Sequence, residues 1–135
     1  MSPELVSQYD GLIEAAERAR EHAYAPHSGF AVGAAVLTGS GKVYGGCNVE
    51  NASYGLTVCA ERVAIFKAVS EGERNIVALA VVADSIDVVR PCGACLQVIK
   101  EFAKPDSSPV IVAANLRGLS DVQTLAEYLP LPFVL

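Results

Sequence analysis

The sequence predicts an α/β protein, a three-layer α/β/α sandwich in which helices cover both faces of a mixed sheet of about five strands. The first observation is a pair of continuous apolar runs, residues 76–83 and 109–115, which are typical of strands covered on both faces. The second is that helical patterns precede and separate these two runs. The third is the pair FAVGAAVLT and KVYGGCNV around the break GSGK, which predicts an antiparallel hairpin and therefore a mixed sheet.

Four helical segments are expected around this sheet. The first begins with Ser2 as N-cap and Pro3 at the first helical position. The second runs from about residue 57 to residue 71 and is apolar on nearly every side, so we expect it to be buried. The third carries Pro91 near its start, and a short final helix capped by Ser120 is expected before the apolar tail LPLPFVL.

The composition is that of an apolar, acidic chain of 135 residues, which we expect to form one domain over residues 1–135. Hydrophobic residues make up 52% and the mean hydropathy is +0.36, so we expect a homo-oligomer that hides apolar surface. The 10 basic against 15 acidic residues give a net charge of -5, which argues against a nucleic-acid partner. No apolar segment approaches the roughly 20 residues that span a bilayer and no secretion signal is recognised, so a cytoplasmic protein without membrane contact is expected.

Cysteine spacing gives the first indication of chemistry. Without a secretion signal, the four cysteines favour metal binding or catalysis over disulfides. Cys92 and Cys95 lie three residues apart on a first helical turn and can bind one metal ion, with Cys59 as the third ligand. Three thiolates leave tetrahedral Zn²⁺ one open position, which is typical of catalytic sites. Cys47 is interpreted as a small apolar core residue outside the site.

Glu61 and Arg62 follow the first of these cysteines directly. Residues i and i+2 of a helix point about 200° apart, so Cys59 and Glu61 can share a site only if Cys59 lies in the first turn or cap, near Thr57. A carboxylate beside a metal-activated water is suited to general acid/base catalysis, which is the role expected of Glu61. Arg62 is expected to compensate the negative charge of the zinc thiolates.

These motifs resemble the zinc-dependent cytidine deaminase family, in which a glutamate that is not a ligand accompanies a Cys₃ site. The resemblance rests on CAER and PCGACLQ, and extends to FAVGAAVL, GCNVENASYGLTVCAERVAIFKAVSEGE and LPLPF. It implies the small nucleoside deaminase type, a homotetramer with one Zn²⁺ per subunit and sites that share residues between subunits. The chain departs from the family pattern at Leu96, where arginine is usual, and at His27, where tyrosine is frequent; Leu96 shifts charge compensation toward Arg62.

The resemblance also implies how substrate would be held. Asn48 and Glu50 would bind the sugar hydroxyl, Phe30 would stack on the pyrimidine, and the backbone of Ala60 would contact the base. The expected substrate-binding residues are Phe30, Asn48, Val49, Glu50, Ala60 and, from a neighbouring subunit, Phe133. Alternatives stay open, since Asn48 and Glu50 could be turn and cap residues and Phe30 a core aromatic. The two histidines, His22 and His27, are expected to be solvated.

The expected reaction is hydrolytic deamination of cytidine or deoxycytidine to the uracil nucleoside and ammonia, as in pyrimidine salvage. Glu61 would take a proton from the zinc-activated water, deliver it to ring N3, and pass a second proton to the departing amine. Three alternatives share parts of the pattern: a deaminase of a nucleoside-like antibiotic, a nucleic-acid editor, and a non-catalytic zinc-folded binding module. The acidic charge disfavours the editor, and Glu61 disfavours the binding module.

Overall fold

A computed structural model describes residues 9–135, so the expected cap at Ser2 and the helical start at Pro3 lie outside the described residues. The helices are α1 (Asp10–Arg20), α2 (Ala60–Ser70), α3 (Gly93–Glu101) and α4 (Leu125–Tyr128), with a 3-10 turn at Tyr54–Leu56. The strands are β1 (Val32–Thr38), β2 (Val43–Cys47), β3 (Ile76–Ala83), β4 (Val110–Asn115) and β5 (Ser120–Thr124). Within residues 9–135, none of the helices combines the length and the apolar character that crossing a membrane requires.

The five strands form one sheet in the order β2-β1-β3-β4-β5. The β3–β4 pair is parallel and the other three neighbouring pairs are antiparallel, which confirms the predicted mixed sheet and the hairpin of β1 with β2. Register places Val32 opposite Ala83 and Gly33 opposite Cys47. The start of β1 and the ends of β2 and β3 therefore meet at the same edge of the sheet.

Two helix boundaries differ from the sequence predictions. Residues 120–124 form strand β5 on β4, and the prediction of a helix capped at Ser120 is wrong. The helix begins after Thr124, which forms a reciprocal capping box with Glu127. Residues 120–124 have mixed polarity, and their local propensity does not determine their structure. Pairing with the buried strand β4 makes them a strand. The second helix begins at Ala60, later than the expected residue 57.

Two apolar layers, one on each face of the sheet, confirm the predicted sandwich. On one face α1 packs against alternate strand residues, and this cluster comprises Leu12, Ala16, Ala35, Ala78, Ala80, Val82, Val112 and Ala114. On the other face α2, α3 and α4 cover a cluster that includes Ala64, Ile65, Ile99 and Leu125 against Val36, Leu79, Val81 and Ile111. Opposite faces of the same strands thus supply the two clusters.

Glycine allows both layers to approach the hairpin closely. A Cβ on Gly33 would lie 2.0 Å from the carbonyl oxygen of Ala16 in α1. A Cβ on Gly46 would lie 2.4 Å from the backbone nitrogen of Ala64 in α2, on the opposite face. Backbone atoms cannot rotate away as a side chain can. The close packing of α1 and α2 on the hairpin therefore requires glycine at positions 33 and 46.

Helix α2 is buried on one face only, which corrects the expectation that it is enclosed on nearly every side. Its buried residues are Ala60, Glu61, Ala64, Ile65 and Ala68. Phe66, on another face, remains 48% exposed in the single chain. The helix is apolar all around, and the core of its own chain covers only some of these apolar residues.

The topology brings the starts of α2 and α3 to the carboxyl ends of the parallel strands. Helix α2 follows β2 in the chain, and helix α3 follows β3. Because β2 and β3 end at the same side of the sheet, both helices begin there. Clefts at the carboxyl ends of strands are the usual location of binding sites in open α/β sheets.

Candidate active site

Three cysteine sulfurs meet where α2 and α3 begin. Cys59 is the N-cap of α2, Cys92 is the N-cap of α3, and Cys95 lies in the first turn of α3. The three Sγ atoms all lie within 4.8 Å of one another, and those of Cys92 and Cys95 are 3.6 Å apart. The predicted placement of Cys59 at a helix cap is confirmed, and so is the meeting of two distant segments of the chain.

The dimensions of this cluster fit zinc. Tetrahedral Zn–S bonds of about 2.3 Å separate sulfurs by about 3.8 Å, close to the 3.6 Å between the sulfurs of Cys92 and Cys95. Soft thiolate ligands favour zinc over the harder divalent cations. Among residues 9–135 no fourth His, Cys, Asp or Glu joins the group; Cys47 stays outside it, half-buried at the end of β2. The cluster therefore supplies three protein ligands, as an open catalytic site does.

Glu61 is the buried carboxyl group of the site. It is the second residue of α2 and only 5% exposed. Burial, with a smaller contribution from the negative charge of Cys59, raises the pKa of Glu61 to about 7. A carboxyl group with such a pKa can both accept and donate a proton near neutral pH, as a general acid/base must.

Arg62 contacts the sulfur cluster directly. Its Nη2 donates a hydrogen bond to Cys59 Sγ at 3.5 Å, and this bond raises the pKa of Arg62. The hydrogen bond with the Cys95 thiol, assisted by Arg62, lowers the pKa of Cys59. The same contact with Cys59 raises the pKa of Cys95. Because a cysteine binds a metal as its thiolate, the metal affinity of this cluster should depend on pH.

Leu96 lies in the core and makes no charged contact to the cluster. Only 7% of its surface is exposed, and it belongs to the apolar cluster beneath α2 and α3. Within the described part of the chain, Arg62 is the one cationic side chain that hydrogen-bonds these sulfurs. The contact is available, and charge compensation of zinc thiolates by Arg62 stays a prediction.

The segment of residues 48–50 lies beside the start of α2. Val49 exchanges backbone hydrogen bonds of 2.9 Å with Val58, the residue before Cys59. On the other side of the segment, the backbone amide of Tyr24 donates to the Asn48 carbonyl at 3.0 Å, and the Tyr24 carbonyl accepts from the Glu50 amide at 2.9 Å. This short ladder fixes the predicted sugar-binding segment next to the first cysteine.

Asn48 uses both ends of its amide to hold the entry to β1. Its Nδ2 donates to the Phe30 carbonyl at 2.8 Å, and its Oδ1 accepts from the Val32 amide at 2.9 Å. Asn48 is 8% exposed, whereas Phe30, which it holds, is 38% exposed. The amide thus fixes the backbone around an aromatic ring that stays partly open to solvent, while its contact with a sugar remains a prediction.

Glu50 is held by a turn that the sequence analysis did not single out. Its Oε1 accepts from the backbone amides of His27 at 2.9 Å and Ser28 at 3.1 Å. Its Oε2 accepts from the Ser28 hydroxyl at 2.5 Å. The ring of His27 meets the Tyr54 ring edge-on with centroids 6.3 Å apart. Ser28 is missed by sequence reasoning because its partner lies 22 residues away.

Comparison with known proteins agrees with this geometry. The sequence model of the family described as "Cytidine and deoxycytidylate deaminase zinc-binding region" matches residues 6–112. The chain belongs to this deaminase family.

The relatives of this deaminase match most of its length. A cytidine deaminase from Sporosarcina psychrophila is 54% identical over 119 residues, 88% of this chain and 86% of that protein. The crystal structure of cytidine deaminase from Burkholderia pseudomallei matches with a TM-score of 0.86 at 47% identity, covering 98% of this chain and 100% of that one. A Blasticidin-S deaminase from Bacillus cereus is 34% identical over 110 residues, 76% of each chain. The resemblance and the fold are both confirmed, and the family's zinc-binding region together with the three sulfurs identifies Zn²⁺ as the metal of this deaminase.

The C-terminal tail of the deaminase docks on α3 through one side chain. Gln97 Nε2 donates to the Phe133 carbonyl at 2.8 Å, and Gln97 Oε1 accepts from the Phe133 amide at 3.3 Å. Gln97 lies two residues after Cys95, about 200° around the helix, so the tail docks away from the sulfurs of its own chain. Phe133 is 69% exposed, and its own chain does not bring it to the cysteine cluster. Ala60, in contrast, lies beside that cluster as the first residue of α2 and is fully buried.

Proposed function

We propose that this deaminase converts cytidine and deoxycytidine to uridine and deoxyuridine with release of ammonia, as one domain over residues 1–135. The observation that carries the proposal is the buried carboxyl group of Glu61 beside the sulfurs of Cys59, Cys92 and Cys95. Hydrolysis of an exocyclic amine needs an activated water and a group that moves protons to the ring and to the leaving amine. The relatives with the higher identities carry the name cytidine deaminase, which supports a nucleoside substrate.

Each residue of the centre has a separate task. The three thiolates hold the metal, and Arg62 offsets their negative charge from the side of Cys59. A zinc ion held by these sulfurs would supply the Lewis acidity that makes water nucleophilic near neutral pH. Glu61 would accept one proton from the attacking water and deliver it to ring N3 as C4 is attacked. It would then take the proton of the new C4 hydroxyl and pass it to the exocyclic amine, so that the C4–N bond breaks, ammonia leaves and the carbonyl forms. Its burial supports this task, because little bulk water is present to exchange the proton.

Substrate would lie between the 48–50 segment and the start of α2. Glu50 would accept a hydrogen bond from a sugar hydroxyl, with Asn48 and Val49 shaping the same side of the pocket. Phe30 would stack on the pyrimidine, which its partial exposure allows. The backbone of Ala60 would contact the base at the start of α2, where amide groups point toward a ligand.

A homotetramer in the cytoplasm, working in pyrimidine salvage, is the biological setting we propose. The single chain leaves large apolar side chains on its surface, among them Tyr54, Leu56, Phe66, Ile86, Leu131 and Phe133. Apolar surface of this extent supports burial between subunits. A tail that docks away from its own sulfurs and presents Phe133 outward supports the closing of a neighbouring subunit's pocket.

The proposal is tested by ultraviolet and ammonia assays on the purified, zinc-analysed protein. Cytidine, deoxycytidine, cytosine and blasticidin S are compared at equal concentration. We expect turnover of both nucleosides and a much lower kcat/KM for cytosine, which lacks the sugar that Glu50 would hold. The Glu50→Ala variant should lose much of the preference for nucleosides over cytosine. Efficient turnover of blasticidin S alone would identify an antibiotic deaminase, and a zinc-loaded protein that releases ammonia from none of the four would indicate a binding module.

A further inference from the structure

The turn at residues 27 and 28 encloses the carboxylate of Glu50 from one side. Two consecutive backbone amides, of His27 and Ser28, donate to Oε1. The Ser28 hydroxyl donates to Oε2 and is the one side chain, in the part of the chain that the structure describes, that hydrogen-bonds this carboxylate. These groups line a pocket of about 290 Å³ together with Tyr54 and Thr57. Glu50 is therefore held at a pocket wall rather than extended into solvent.

Ser28 connects two of the residues expected to hold substrate. Its hydroxyl oxygen donates to Glu50 at 2.5 Å and accepts from the Phe30 amide at 3.0 Å. The hydroxyl has one proton, and that proton is directed to the carboxylate because the oxygen's lone pair faces the amide. The backbone of Phe30 therefore sets the direction in which Ser28 donates.

The hydrogen bonds also limit what Glu50 can bind. Hydrogen bonds from the Ser28 hydroxyl and from the two amides lower the pKa of Glu50, so the group is ionised at neutral pH and only accepts. An ionised carboxylate offers about four acceptor positions, of which the turn fills three. The remaining position lies on Oε2, which has Ser28 as its one partner. A pocket with one such position is suited to a single hydroxyl donor.

We propose that Ser28 is a positioning residue for sugar recognition, one that holds Oε2 of Glu50 so that the remaining lone pair of this oxygen meets the 2′ or 3′ hydroxyl of the nucleoside. The inference rests on the proposed function, because it requires a nucleoside in the pocket. Ser28 acts through Glu50 and takes no part in moving protons.

The test compares Ser28→Ala and Ser28→Thr on two substrates, cytidine and 2′,3′-dideoxycytidine, which lacks the 2′ and 3′ hydroxyls of the sugar. With cytidine, Ser28→Ala should raise KM by about 3- to 10-fold with kcat nearly unchanged, since one hydrogen bond to a charged group is lost. With the dideoxynucleoside the loss in kcat/KM should fall below about 2-fold, because the 2′ and 3′ hydroxyls that Glu50 would bind are then absent. Ser28→Thr keeps the hydroxyl and should restore the cytidine KM. Ser107→Ala is the matched control, because this exposed hydroxyl bonds only the Lys104 carbonyl among residues 9–135.

Two further measurements separate the possible outcomes. In a Glu50→Ala background, adding Ser28→Ala should have no further effect on cytidine KM. Titration of the Glu50 carboxyl carbon by NMR should show its pKa moving up in Ser28→Ala, with or without substrate. An equal loss on both nucleosides, or an additive effect in the double variant, overturns the role of Ser28 while leaving deamination intact. A zinc-loaded wild type that deaminates neither nucleoside would instead contradict the proposed function, and an unmoved Glu50 pKa would overturn the contact itself.

Discussion

Glu61→Gln changes the reaction centre with the least disturbance of its shape. The amide has the size of the carboxyl group it replaces, and the position is 5% exposed, so no cavity opens. Glutamine cannot accept the proton of water or return it. A positioned general acid/base contributes about 10²- to 10⁴-fold, and in the proposed reaction Glu61 serves both the ring nitrogen and the departing amine. We therefore expect kcat for cytidine to fall by at least about 10³-fold, or about 4 kcal/mol in activation free energy.

The assay follows the ultraviolet change of cytidine with wild-type and variant protein of equal zinc content. Binding of uridine, measured by calorimetry, should remain within a few-fold, which would show that the pocket persists. Glu61→Asp is the matched control, because it keeps the carboxyl group but withdraws it from the cluster. A Glu61→Gln protein with normal zinc and a kcat within 10-fold of wild type would refute the reasoning.

The same variant should also change how the free energy of unfolding depends on pH. The folded-state pKa of Glu61, raised by burial to about 7, lies above its ordinary value of 4.5, so the folded chain keeps a proton that the unfolded chain releases. Wild-type stability should therefore fall as pH rises from 4.5 to 7, whereas Glu61→Gln does not share this loss. In the chelator-treated protein, Glu61→Gln should gain up to about 3 kcal/mol on wild type over that window. Urea unfolding at pH 5 and pH 8 measures this, and a constant difference would contradict it.

Three other predictions concern the surroundings of the centre. Arg62→Gln removes the cation that bonds Cys59, so turnover should fall about 10-fold and the acid limb of the pH–rate profile should move to higher pH. Gly46→Ala places a methyl group against backbone of α2, so we expect a loss of about 2 kcal/mol or more in thermal unfolding, and weaker zinc binding as the helix shifts. Gln97→Ala removes both side-chain bonds to the tail, so hydrogen exchange of the Phe133 amide should lose its protection and KM for cytidine should rise.

Each of these predictions has a matched control. Arg62→Lys keeps the charge without the planar fork and should restore part of the turnover. Gly11→Ala has nothing within 4 Å of the added methyl group and lies in α1, so it should stabilise the fold by about 0.5–1 kcal/mol. Gln97→Glu keeps the acceptor for the Phe133 amide and should retain partial protection. The argument for Arg62 is contradicted if Arg62→Gln leaves the pH–rate profile unchanged. The arguments for Gly46 and Gln97 are contradicted if Gly46→Ala unfolds at the wild-type temperature and if Gln97→Ala leaves hydrogen exchange of the Phe133 amide unchanged.

The metal cluster was predictable because its constraints are short in sequence. The spacing of Cys92 and Cys95 places two sulfurs on one helical turn, and the i, i+2 relation of Cys59 and Glu61 requires a helix cap. The structure meets both requirements. Apolar runs likewise predict β3 and β4, because burial on both faces leaves a continuous hydrophobic signature.

Features that depend on distant partners were not predictable in the same way. Residues 120–124 carry mixed polarity and become a strand only because β4 offers them a free edge. Ser28 and Gln97 are ordinary polar residues in sequence, and their roles depend on partners 22 and 36 residues away. The exposure of Phe66 follows the same rule, since an all-round apolar helix does not reveal which face its own chain covers.

The central claim is that three cysteine sulfurs hold one zinc ion with a corner open to solvent beside Glu61. Zinc K-edge X-ray absorption on the purified protein, with metal analysis of the same sample, tests it most directly. We predict one zinc per chain with three sulfur neighbours at about 2.3 Å and one oxygen or nitrogen neighbour that exchanges for a bound inhibitor. Four sulfurs, with Cys47 completing the set, or a protein that holds no zinc, would contradict the account.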